Sequence, residues 1–197
     1  NTSLVISNIA LQKHDRAGLI TFSDKIGATI KSDSKANQLN KILQALYREK
    51  ERPLESNYEL LFQATRKLIS GRSLLLLYTN FESTYALDRV LPILRRINSM
   101  HLLVVVFFEN TEIREFARRP AETIEDIYKQ TTAQQFLAEK GLAVDRREVD
   151  AAGDDHHRHA ERDELRQFGI QAVLTRPEDL SINTINKYLE LKARGLI

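Results

Sequence analysis

Two apolar runs dominate the pattern of the chain, Ser73 to Tyr78 (SLLLLY) and His101 to Phe108 (HLLVVVFF). Each is followed by a polar cluster, Thr79-Asn80 after the first and Glu109-Asn110-Thr111 after the second. Short continuous runs separated by a helix-length segment predict parallel strands buried on both faces, and ligands of open α/β sheets gather at the carboxyl ends of such strands. From Ser83 to Ile97, the residues Leu87, Val90, Leu91, Leu94 and Ile97 recur at helical spacing. The three segments make a βαβ unit, for which a right-handed crossover is expected.

The same reading covers most of the remaining chain. The opening NTSLVISNIALQKHD predicts an amphipathic helix with Leu4, Ile6, Ile9 and Ala10 as its apolar positions. Ala17 to Phe22 (AGLITF) and Gly27 to Ile30 (GATI), joined through Ser23-Asp24-Lys25, predict a hairpin. Leu39, Ile42, Leu43 and Leu46 mark a helix, and Pro53 separates it from a second over Tyr58 to Ile69, where Leu61, Ala64, Thr65 and Leu68 repeat the spacing. Ser56 is a start signal for that helix and Gly71 a stop. Ile170 to Leu174 (IQAVL) predicts a third parallel strand. A last helix follows from Ser181, with Ile182, Ile185, Leu189 and Ala193 inward and Gly195 at its end. The stretch from Thr111 to Gly169 exceeds what one crossover helix needs, so two or more helices are expected there, one from about Ala121 to Lys140. Asp145 to Arg166 is dominated by charge and reads as surface.

Composition narrows the possibilities. A chain of 197 residues without an internal repeat or a Pro/Gly/Ser linker predicts one domain. Its 29 basic and 27 acidic side chains leave a formal charge of +2, which supplies no strong field for nucleic acid or anionic lipid. Without cysteine there is no disulfide, thiolate catalysis or Cys-ligated zinc. No apolar stretch approaches the ~20 residues that span a bilayer. The sequence begins directly in a helical pattern without Met, so a fragment of a longer protein is expected.

The segments RAGLITFSDKI, RSLLLLYTNFES, LDRVLPILRRINSMHLLVVVFFENTE and LTRPEDLSINTINKYLELKARGLI resemble the carboxyl-terminal half of bacterial DUF58 proteins, which carry a von Willebrand factor A-like domain. The resemblance covers nearly all the chain except about Val144 to Arg162, a charged insertion. It implies an α/β fold with a mostly parallel, Rossmann-like sheet, helices on both faces and one antiparallel edge strand. It also implies that the first strand, between those at 17–22 and 73–78, lies outside this chain. An open slot there would expose unpaired backbone, so self-association is expected. Such domains hold Mg²⁺ or a similar hard cation through a D-x-S-x-S loop, a Thr from the loop between the middle helices and an Asp after the fourth strand. Here Asn80 stands at the fourth-strand position and Glu55, Ser56 and Asn57 in the middle loop, so a degenerate, metal-free site is expected. The resemblance further implies a membrane-anchored parent with this domain cytoplasmic, working beside a MoxR-type AAA+ ATPase.

Other chemistry is sparse. Gly153 to His159 (GDDHHRH) is the one dense cluster of metal-ligating types, read as a solvated charged segment. No phosphate-cradling or nucleophile-elbow glycine motif occurs. His14 reads as closing a helix and His101 as beginning a strand. The basic groups Arg95-Arg96, Arg118-Arg119 and Lys187, Lys192, Arg194 are interrupted by acids and read as helix faces rather than a nucleic-acid stripe. The expectation is a non-catalytic interaction module that binds a protein through a rim formed by Ser23, Asp24, Glu55, Ser56, Asn57, Thr79, Asn80, Glu82, Asn110 and Thr111. Two alternatives stay open: a hydrolase-type enzyme on the same strand ends, and a divalent-metal-dependent adhesion-type domain.

Overall fold

A computed structural model of the chain describes residues 2–50, 52, 54–79, 84–108, 129 and 165–197. The elements run α1 (Thr2–Gln12), β1 (Ala17–Phe22), β2 (Ile26–Asp33), α2 (Gln38–Arg48), α3 (Tyr58–Leu68), β3 (Leu74–Tyr78), α4 (Thr84–Met100), β4 (Leu102–Phe108), β5 (Gln171–Thr175) and α5 (Leu180–Ala193). The protein is α/β. The expected second strand grows from 27–30 to Ile26–Asp33. The helix expected near 121–140, the charged insertion and the His-rich segment 153–159 lie outside the described residues, apart from Lys129.

The described strands form two sheets, an antiparallel pair β1–β2 and a three-stranded β3–β4–β5; the strand expected between β1 and β3 is not in this chain. The three-residue turn Ser23-Asp24-Lys25 brings β2 back antiparallel onto β1, from Phe22↔Ile26 to Ala17↔Asp33, with two irregularities in register. Local pairing of this kind needs no crossover. In the larger sheet, Leu102 N–H donates to Ser73 O at 2.9 Å and Thr79 N–H to Val106 O at 3.1 Å, so partners advance together and the strands are parallel. β4 and β5 pair in parallel without interruption from Val104↔Gln171 to Phe108↔Thr175. β4 is thus the central strand, and Leu103 to Phe107 are each no more than 3% exposed. Since successive side chains point to opposite faces, both faces of β4 are covered, as its unbroken apolar run requires.

By compactness the chain divides into two units, Asn1–Leu75 with Ile93–Leu102 and Leu180–Ile197, and Leu76–Pro92 with Leu103–Asp179. The first buries Ile6, Ile42, Tyr58, Leu61, Phe62, Leu94, Ile97, Tyr188 and Leu191; the second buries Leu77, Leu87, Val90, Leu91, the β4 residues, Leu165, Ile170 and Ala172. In the first unit Arg96 lies 4.0 Å over the Phe62 ring and 3.4 Å from Glu59, so its guanidinium covers an apolar face while staying solvated.

All five apolar positions read on α4 are buried. On α5 the buried face is Thr184, Tyr188 and Leu191, while Ile182 and Leu189, read as inward, are exposed, as is Ala193. The helix is turned by polar bonds that periodicity does not register. Tyr188 Oη donates to Asp15 Oδ2, and Lys192 Nζ lies 2.6 Å from the same oxygen. Thr2 and Ser181 hydroxyls meet at 2.9 Å. On α2, Leu43 is exposed and Gln38 is buried instead, its Nε2 donating to Ala17 O and Lys31 O at 2.7 Å each.

Helix ends also differ from expectation. α3 starts on Asn57, not Ser56, with Asn57 Oδ1 accepting from Leu60 N–H at 3.1 Å. It stops at Leu68 with extended Ile69 as cap, so Gly71 lies beyond the cap. Gly195, at φ 65°, ends α5 as expected: Leu196 N–H reaches back to Leu191 O and Gly195 N–H to Lys192 O. α1 closes with the same pair of bonds, Asp15 N–H to Ala10 O and His14 N–H to Leu11 O, yet its left-handed residue is His14 at φ 62°.

Candidate functional site

The first unit carries an open cleft of about 420 Å³ where β1 ends. Phe22, Leu46 and Leu54 give it apolar wall; Ser23 and Ser56 contribute hydroxyls; Lys25, Lys50 and Arg52 supply charge. The strand–turn–strand places Ser23 and Lys25, the end of α2 places Glu49 and Lys50, and the segment leading into α3 places Arg52, Leu54 and Ser56.

Two sets of bonds hold these pieces together. The hairpin tip is stitched to α3: Asn57 N–H donates to Ser23 O at 2.8 Å, and Phe22 meets Tyr58 edge to face at 5.4 Å. The end of α2 is latched to the hairpin by Glu49. Its Oε1 accepts from Thr21 Oγ1 at 2.5 Å and from Ala28 N–H at 2.8 Å, while Ala28 N–H also reaches Thr21 Oγ1 at 2.7 Å. The Thr21 hydroxyl first, then the Ala28 N–H, hold the Glu49 carboxyl below the usual range against the opposing effect of burial, and the charge of Arg52 adds to them. A carboxylate so held is a weak base at neutral pH. Gly27 leaves the room for this latch, because a Cβ there would overlap Thr21 Oγ1 and stand 2.7 Å from Glu49 Oε1.

The expected rim residues divide. Ser23 and Ser56 line the cleft. Asp24 stands beside it, with Arg52 at 3.3 Å, and Glu55 and Asn57 belong to the exposed approach to α3. Asn57 caps α3, its side-chain oxygen accepting from Leu60 N–H. Thr79 falls in the second unit, half-buried, its N–H bonded to β4. Asn80, Glu82, Asn110 and Thr111 lie outside the described residues. The reading of the sequence missed Thr21, Lys25, Glu49, Lys50 and Arg52. Lys50 and Arg52 before Pro53 were visible only as alternating charge, which ordinarily marks a solvated face.

Of the described loop residues that the resemblance offers, Glu55, Ser56 and Asn57, Asn57 is committed to its cap, and three cationic side chains line the cleft beside Ser56, a setting that disfavours a divalent cation. No group of three or more metal-ligating side chains is gathered among the described residues. Nor is any helix among them long and apolar enough to cross a membrane. In comparison with known proteins, the chain matches no family model, no curated protein and no solved structure.

Proposed function

We propose that the chain is a non-catalytic interaction module that binds a protein partner through the cleft at the end of β1. The observation that carries this reading is the cleft itself. It is open, walled by Phe22, Leu46 and Leu54, and edged by hydroxyls and cations, a composition suited to a partner's side chains. The one carboxylate among its described lining residues is engaged by Thr21 and Ala28 and is a poor general base, which speaks against hydrolysis there. The segments that resemble the DUF58 family support a von Willebrand A-like fold, with a MoxR-type AAA+ ATPase as the partner to try first.

The test is binding of the chain to such an ATPase by interferometry, with Ser56→Trp as the perturbation. The indole overfills the cleft, so affinity should drop about tenfold or more, a loss of about 1.4 kcal/mol. The melting temperature should hold, because Ser56 is only half-buried and lines an open cleft. Unchanged affinity in the variant refutes the site. Loss of binding in EDTA refutes the metal-free reading.

A further inference from the structure

Resting on that reading, we infer that the cleft takes an acidic peptide segment of its partner, a carboxylate entering among Lys25, Lys50 and Arg52 while a neighbouring apolar side chain packs on Leu46 and Leu54. Among the described residues the lining carries three cations against one carboxylate, a net positive charge. Glu49 Oε1 already accepts from Thr21 and Ala28, so it is committed to the fold. Lys25 and Lys50 are exposed and make no ion pair among the described residues. Arg52 pairs with Asp24 at 3.3 Å across a solvent-exposed gap, a contact weak enough for an incoming carboxylate to exchange with. An arginine fork and two flexible ammonium groups around one opening suit carboxylates, the fork binding two oxygens at once.

The apolar wall decides between an acidic peptide and a bare anion. Phe22, Leu46 and Leu54 line the same opening, and Leu54 is 61% exposed. A leucine with more than half its surface in water gains by being covered, and only a ligand with an apolar side chain next to its charge covers it. Stacking aromatics for a nucleic acid are lacking on the lining, where Phe22 already packs against Tyr58.

Fluorescence anisotropy tests this with a labelled peptide of paired leucines flanked by aspartates and a twin carrying asparagine for every aspartate. The acidic peptide should bind the chain at least about tenfold tighter than its twin and lose affinity severalfold between about 50 and about 300 mM NaCl. Lys25→Glu with Lys50→Glu should reverse the preference while the circular dichroism melt stays in place. Equal affinity for the two peptides, or no effect of the double variant, overturns the inference. So does tighter binding of a labelled oligothymidylate. The two readings fail separately. If Ser56→Trp weakens the protein partner while the peptides are not told apart, the site stands and its charge preference falls; if the peptides are told apart but Ser56→Trp is silent toward the protein, the cleft takes acidic segments and the partner docks elsewhere.

Discussion

Replacing Gly27 by alanine probes the latch between α2 and the hairpin. The added carbon would overlap Thr21 Oγ1 and press on Glu49 Oε1, both side-chain atoms, so the structure yields by expelling the carboxylate rather than moving backbone. What is lost is the pair of charge-assisted bonds from Thr21 and Ala28. Such bonds contribute about 1.5–3 kcal/mol when buried, and solvent around the exposed Glu49 reduces this to about 1–2 kcal/mol. Glu49→Ala removes the same bonds and should cost the same. In the double variant the new methyl meets no carboxylate, and the Thr21 hydroxyl, released from it, can turn away, so the two losses should not sum: a total of about 1–2 rather than about 2–4 kcal/mol is expected, a coupling of about 1–2 kcal/mol. Urea unfolding of the four chains at constant m measures it. Gly18→Ala is the control, because its carbon would meet backbone, Ile30 O at 2.8 Å and Ser32 N at 2.9 Å, which removing Glu49 cannot relieve. Losses for Gly27→Ala and Glu49→Ala that add within about 0.5 kcal/mol would refute the latch.

Three further outcomes are expected. His14→Gly should raise stability by about 0.5–1 kcal/mol, since a side chain at φ 62° is strained where glycine is not; a lower urea midpoint would count against that account. Leu94→Ala, at a fully buried position, should cost about 2–5 kcal/mol by the same measurement. His101 is buried with Nδ1 unpartnered, and burial holds its imidazole below the ordinary histidine range although a bond to the Gly71 carbonyl opposes this. The unfolded chain therefore takes up a proton near pH ~6.5 that the folded chain declines, so stability is full above that pH and falls as pH drops below it. His101→Gln should flatten that limb of a stability–pH curve.

Where burial follows apolar spacing, the sequence is transparent. Leu87, Val90, Leu91, Leu94 and Ile97 are the buried face of α4, and Leu103 to Phe107 are the covered stretch of the central strand. Where polar atoms decide burial, it is not. Gln38 is inside because its amide bridges two carbonyls 14 residues apart, Ala17 and Lys31, and α5 turns Tyr188 inward because Asp15 waits for it. The cleft was half legible: Ser23 and Ser56 follow from the rule that ligands collect at strand ends. Glu49 and its partners could not be read, since nothing local marks a bond between residues 28 and 21 positions apart.

The bonds of α5 to α1 have a consequence for the order of events in synthesis. Thr2 meets Ser181, and Asp15 meets Tyr188 and Lys192, across separations of 179, 173 and 177 residues. Contacts this far apart are the slowest to close, and a ribosome adding about 5–20 residues per second delivers the second partner roughly 9–35 s after the first. For that interval α1 lacks its partner helix, with Ile6 and its neighbours open to whatever apolar surface is nearby. A nascent chain stalled before residue 180 should be a better chaperone substrate than one in which α5 has emerged, the last turns of α5 acting as the release signal.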